Sequence, residues 1–205
     1  MRRMRSIVRL ALLALVLAAL GCSSGGGSSS TTGPTGTGTG GDGSSGGGTG
    51  TMTVFLTDSP FSDAQSLLLT FSEVSIHRSG AGWETLTTAS MTCDLKKLVN
   101  AQTVLVTSPL PAGHFTQIRL MVSSATLYFD NAAAGPACAP IIAAPAGQSA
   151  PVEIPSGEIK LNRDFDLAAG GATTVTLDFD GDSSVRQTGN GTYMMQPVVA
   201  ILSVQ

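Results

Sequence analysis

Basic side chains, histidines and helical periodicity are what this sequence has least of. Only 11 of its 205 residues are Lys or Arg, against 14 Asp or Glu, and four of the basic ones, Arg2, Arg3, Arg5 and Arg9, crowd the N-terminus. Beyond residue 21 the count is 7 against 14, a net charge of −7. Nucleic acid and anionic lipid surfaces both require a basic footprint, so this balance argues against them as partners. The one basic cluster, Lys96-Lys97, is too small to change that. The two histidines, His77 and His114, lie in or beside expected strands, and the expectation is two structural or surface residues. No window carries an apolar repeat at helical spacing beyond one or two turns, which argues against a helical or α/β architecture. Of three cysteines none has a second Cys or His at ligand spacing, so a zinc site is not expected.

What is present begins with a basic start, a continuous apolar run from Leu10 to Leu20, and Gly21-Cys22. The run is well short of the roughly 20 residues a spanning helix needs, so residues 1–21 read as a cleaved signal. Ala19-Leu20-Gly21-Cys22 resembles the lipobox of bacterial lipoproteins, with Ala19 where Leu is usual. The resemblance implies acylation of Cys22, and three acyl chains exceed the two signals that stable membrane anchoring takes. Ser23 after the lipidated cysteine implies, in a diderm, sorting to the outer membrane face of the cell envelope.

Cys93 and Cys138 remain as an even pair in an oxidising compartment and are expected to form a disulfide. Ser23 to Gly50 is almost wholly Gly, Ser and Thr, too apolar-poor to offset its ordering entropy. Residues 22–51 are therefore expected to be a disordered tether, with a reach of about 30 Å.

Residues 52–205 change to short Val, Ile, Leu and Thr runs punctuated by Gly, Pro and Asn. The fold expectation is all-β: a single antiparallel β-sandwich, immunoglobulin- or transthyretin-like, preceded by the disordered linker. Strands are expected at 53–57, 67–77, 83–86, 103–106, 115–122, 125–129, 151–161, 165–167, 173–180 and 193–204, with a helical turn at 95–99. In 67–77, Leu67, Leu69 and Phe71 share one parity and Val74 and Ile76 the other, so a bulge near Ser72-Glu73 is expected. Ala125 to Phe129 is expected to pair back on the strand before it, and Gly170-Gly171 to form a hairpin. The Ala- and Pro-rich stretch 131–150 reads as a loop pinned by Cys138.

Thr173 to Asp182, T-T-V-T-L-D-F-D-G-D, alternates apolar and polar residues and ends in carboxylates two apart. Asp178, Asp180 and Asp182 imitate the opening of a calcium loop, but Ser183 and Gly189 stand where an EF-hand has Gly and Glu. The candidate metal set is a looser Ca2+ rim of Asp178, Asp180, Asp182 and Asp58; no other cofactor is implied. Gly181-Asp182-Ser183 is similar to the nucleophile block of some lipases, yet no histidine follows it and there is no G-x-S-x-G, so no catalytic residue is assigned. Asp164 and Asp166 flank Phe165 as an exposed strand face. The sole Trp83 and Tyr193 are either core anchors or aromatics of a carbohydrate- or protein-binding face.

The blocks F-L-T-D-S-P (55–60), F-S-E-V-S-I-H (71–77), L-P-A-G-H-F-T-Q-I-R-L (110–120), V-T-L-D-F-D (175–180) and Gln196-Pro197-Val198 follow one another in an order that resembles the domain of unknown function 4382 family. The resemblance implies an exported, often lipid-anchored β-rich domain and supplies no activity, substrate or cofactor. Taken together, the chain reads as an envelope lipoprotein carrying a non-catalytic binding or structural module. Its expected partners are the membrane, through the N-terminal lipid, and an envelope glycan or protein. The rival readings are a calcium-dependent adhesion or carbohydrate-binding module and, further off, a hydrolase.

Overall fold

The computed structural model describes residues 47–59 and 64–205. The expected signal 1–21, Cys22 and the linker as far as residue 46 lie outside the described residues.

Among the described residues two sheets face each other across one core. The smaller holds β13 (Val199–Val204), β10 (Ala172–Asp180), β1 (Thr49–Ser59) and β5 (Thr103–Pro111), in that order. β1 begins at Thr49, three residues ahead of the boundary expected at Met52. Thr49, Gly50 and Thr51 continue the Gly- and Thr-rich linker with no apolar alternation to announce a strand, but they pair with Pro111, Leu110 and Pro109. Tertiary pairing overrides composition there.

The larger sheet is built on two long strands, β2 (Ser66–Arg78) and β6 (Gly113–Tyr128), paired antiparallel along their length. Each changes its outer partner half-way. β2 pairs first with β4 (Met91–Asp94) and then with β3 (Gly82–Thr87). β6 pairs first with β9 (Glu158–Leu167) and then with β8 (Ser149–Glu153). β7 (Cys138–Ala139) extends β4, and β12 (Tyr193–Met195) with β11 (Val185–Gln187) extends β8.

The expected sandwich is observed, with mixed rather than purely antiparallel pairing: β1 runs parallel to β10, and β8 parallel to β12. Four local expectations are corrected. The strand expected at 193–204 is two, β12 in the large sheet and β13 in the small one. Residues 115–128 are one strand, not two. Ser123 is an extra residue in β6, skipped between the pairs Thr70 with Ser124 and Phe71 with Val122, so the two exposed serines mark a bulge instead of a turn. Gly170-Gly171 does not close a hairpin. Gly170, at φ 69°, carries the chain from β9 in the large sheet to β10 in the small one. Residues 151–161 are interrupted: β8 ends at Glu153 and β9 starts at Glu158.

The bulge expected in β2 is present, because Phe71 pairs with Val122 and Glu73 with Met121, leaving Ser72 unmatched. Leu67, Leu69, Phe71, Val74 and Ile76 consequently all reach the core, none more than 1% exposed. Both bulge serines satisfy carbonyls that the irregular ladder releases: Ser72 donates to Met121 O and Ser123 to Thr70 O. Opposite them, Met52, Val54 and Leu56 of β1 and Val175, Leu177 and Phe179 of β10 are fully buried. The helical turn expected at 95–99 is a 3-10 turn, Leu95–Leu98, whose two leucines seal one end of the core.

Cys93 and Cys138 form a disulfide, directly opposite each other in the β4–β7 ladder. The loop it closes is also held by Ser66, whose Oγ donates to Asp94 at 2.8 Å and accepts the N–H of Ala133 at 2.7 Å.

Candidate functional site

The carboxylates expected to form a calcium rim are separated by the sheet itself. Asp58 continues the inward parity of Val54 and Leu56, and lies opposite Phe179 in the parallel register. It is 4% exposed. Asp178 and Asp180 have the other parity and project outward, and Asp182 sits exposed on a one-turn helix, Gly181–Ser184. Among the described residues no group of three or more His, Cys, Asp or Glu side chains could hold a metal ion. Of the expected calcium set Asp58, Asp178, Asp180 and Asp182, Asp58 is parted from Asp178 and Asp180, because alternate residues of a strand face opposite ways.

Local hydrogen bonds account for two of these acids. Asp180 caps the short helix: its Oδ1 accepts the Ser183 N–H at 2.8 Å and its Oδ2 the Ser183 hydroxyl at 2.7 Å. Those bonds from Ser183 hold the Asp180 carboxyl below the usual carboxylate range. Asp58 Oδ1 accepts the Gly181 N–H at 3.2 Å, whereas its buried Oδ2 has no hydrogen-bond partner among the described residues. Desolvation pushes the Asp58 carboxyl up to about 7; the Asp178 and Asp180 charges add to the rise, and the Gly181 bond and Lys96 oppose it.

The residues that would serve a hydrolase engage separate partners. The Ser183 hydroxyl donates to Asp180. His77 Nδ1 lies 2.9 Å from Thr116 Oγ1, and His114 Nδ1 lies 2.9 Å from Asp166 Oδ1. Asp164 and Asp166 are exposed on β9, as alternation with Phe165 requires. Tyr193 is half-buried against Phe129, ring centroids 5.7 Å apart.

Trp83 is different. It lies on β3, opposite His77, on the outer face of the large sheet, and stays 37% exposed. The core reading of this residue is thus replaced by the surface one. The His77 ring meets it edge-on at 5.4 Å, and the Arg119 guanidinium sits 4.3 Å from its centroid. Arg119 is in turn fixed by Ser75, to whose Oγ its Nε donates at 3.0 Å, and by Glu73, 3.1 Å away. Glu158 of β9 lies 3.9 Å from Arg119 and 2.8 Å from Lys160. Gln117 and Asn162 join their amides at 2.8 Å beside this group. Four strands, β3, β2, β6 and β9, thus present an aromatic ring held in place by a charge-balanced polar network. The sequence does place Arg119 outward, between inward Ile118 and Leu120, but only the strand order shows that it stacks on Trp83.

A family model described as Domain of unknown function (DUF4382) matches residues 49–197. The chain belongs to this family. The matched span begins with β1 and closes after β12, so it covers both the buried Asp58 and the Trp83 face of this DUF4382 domain. No curated protein and no solved structure matches the chain.

Two sequence blocks that carried the family resemblance meet in space. Residues 55–59 of the first block form the end of β1 and V-T-L-D-F-D the end of β10, strands adjacent in parallel register from Thr51 with Ala172 to Ser59 with Asp180. Asp58 ties the end of the first block to the Gly181 that follows the second.

Proposed function

We propose that this DUF4382 domain is a non-catalytic binding module of the bacterial cell envelope, anchored by a lipid on Cys22 and carried on the Gly/Ser/Thr tether. The observation that carries the binding role is the pre-oriented Trp83 on the outer face of β3, β2, β6 and β9, held by Arg119 and His77. A ring fixed before the ligand arrives loses little freedom on binding, which favours affinity from a small contact area. The dispersal of His77, His114 and Ser183 among unrelated partners supports a non-catalytic role. Anchoring rests on the lipobox resemblance at 19–22, with Ser23 favouring the outer membrane. Among the described residues no helix is long and apolar enough to cross a membrane.

The test is capture by envelope fragments stripped of lipid with detergent, which leave the acyl chains on Cys22 no bilayer to enter. The full chain should sediment with them and Trp83→Ala should stay in the supernatant, with both variants folded. Equal sedimentation of the two would refute the assignment of the binding face.

A further inference from the structure

Resting on that reading, we infer that the ligand of the Trp83 face is an uncharged polysaccharide chain, bound across the strands. Three observations select this chemistry. The cations of the face are matched by anions: Arg119 faces Glu73 and Glu158, and Lys160 faces Glu158. An anionic polymer gains nothing from such a surface, with Asp164 and Asp166 also exposed on β9, whereas a polyhydroxylated neutral one meets donors and acceptors already aligned. Trp83 is also the sole large apolar residue exposed on this face among the described residues; Val104, Ile141, Val198 and Leu202 lie on other elements. The centre of a protein interface needs a cluster of apolar and aromatic residues, and one ring framed by polar groups does not supply it. A sugar ring, by contrast, stacks its C–H face on a single aromatic plane while its hydroxyls reach the polar frame.

The third observation is extent. Trp83, His77, Gln117 and Asn162 are consecutive register partners across β3, β2, β6 and β9. Three strand spacings make this row about 14 Å long, the span of an oligosaccharide and not of a single sugar. The Gln117 and Asn162 amides, bonded to each other at 2.8 Å, form the far end of the row.

Trp83 is the only tryptophan in the chain, so intrinsic fluorescence reads this site without assignment. The full chain, kept in a non-glycosidic detergent, is titrated with hexaoses of β-1,4-glucose, β-1,4-N-acetylglucosamine and α-1,4-glucose. Hexagalacturonate serves as the charged comparator, and each monosaccharide as the short one. At least one neutral hexaose should give a saturable change, at least tenfold tighter than its monosaccharide and than hexagalacturonate. Calorimetry should show at least tenfold loss in Trp83→Ala, partial recovery in Trp83→Phe, and a smaller loss in Asn162→Ala. An unchanged melting temperature in Trp83→Phe keeps the comparison independent of folding. The inference is overturned if no neutral hexaose binds, if hexagalacturonate binds tighter, or if Trp83→Ala binds as the wild type does. Should envelope capture depend on Trp83 while no neutral hexaose binds, the binding face stands and the polysaccharide assignment falls.

Discussion

The Asp58 carboxylate accepts the backbone N–H of Gly181 at 3.2 Å, joining two strand ends that lie 123 residues apart in the chain. It does so from a site where it is 4% exposed and where its second oxygen has no partner among the described residues. The neutral acid suits that site better than the anion, which raises the carboxyl from 3.8 to about 7. The folded chain therefore holds a proton that the unfolded chain has released, and the associated stability is complete below about pH 4 and lost as pH rises through 7. Stability measured by denaturant between pH 4.5 and 8.5 should fall across this range, by at most about 4 kcal/mol at 1.36 kcal/mol per unit. Asp58→Asn keeps an oxygen for Gly181 and should be the more stable protein at pH 8. Burial also raises Asp94, with the same sign, so a residual slope should survive in that variant. A wild-type curve that rises with pH over this window would contradict the assignment.

Asp180 acts in the opposite sense. Its carboxylate caps the Gly181–Ser184 turn through Ser183, so its stabilisation exists above the ordinary carboxylate range and fades as pH falls through the lowered value. Asp180→Ala should cost about 1 kcal/mol at neutral pH, the usual loss for an N-cap. The cost should shrink toward zero in acid. Because Asp58 faces away from Asp178 and Asp180, millimolar calcium should leave the melting temperature of the wild type unchanged.

The disulfide between Cys93 and Cys138 spans 45 residues of sequence. Closing such a loop removes freedom from the unfolded chain worth about 4 kcal/mol. Reduction, or the Cys93→Ser with Cys138→Ser double variant, should lower stability by about that amount. Hydrogen exchange should quicken first at the N–H groups of Ala133, which donates to Ser66 Oγ, and Asp94, which donates to the Ala137 carbonyl.

What could be read in the sequence was local parity. The alternation of 173–180 placed Val175, Leu177 and Phe179 in the core, and the parity change in 67–77 located the Ser72 bulge. Ser123-Ser124 misled because two exposed polar residues in succession look the same in a bulge and in a turn. Gly170-Gly171 shows that the chain turns there, but local chemistry carries no information about which sheet the next strand joins. The parallel pairing of β1 with β10 is of that non-local kind. Asp58 lies one residue past the strand expected at 53–57, and because β1 runs on to Ser59 it continues the inward parity of Val54 and Leu56, away from the carboxylates it was expected to join. For Trp83 the sequence offers a core and a binding-face reading without deciding between them, since its neighbours come from residues 73 to 162 and meet only through strand order.

The lipobox at 19–22 makes a chemical prediction of its own. Cells fed labelled palmitate should label the wild-type chain, and Cys22→Ser should accumulate as an unlabelled, unprocessed precursor. Equal labelling of the two would exclude Cys22 as the acylated residue.

The most direct measurement of the binding face is collisional quenching of Trp83 by acrylamide, with and without lipid-stripped envelope fragments. Trp83 is the only tryptophan, so the quenching constant reports this one surface. If envelope binding uses the face of β3, β2, β6 and β9, the constant should fall several-fold when the chain is bound. A bound chain whose Trp83 is quenched as freely as in solution would contradict it.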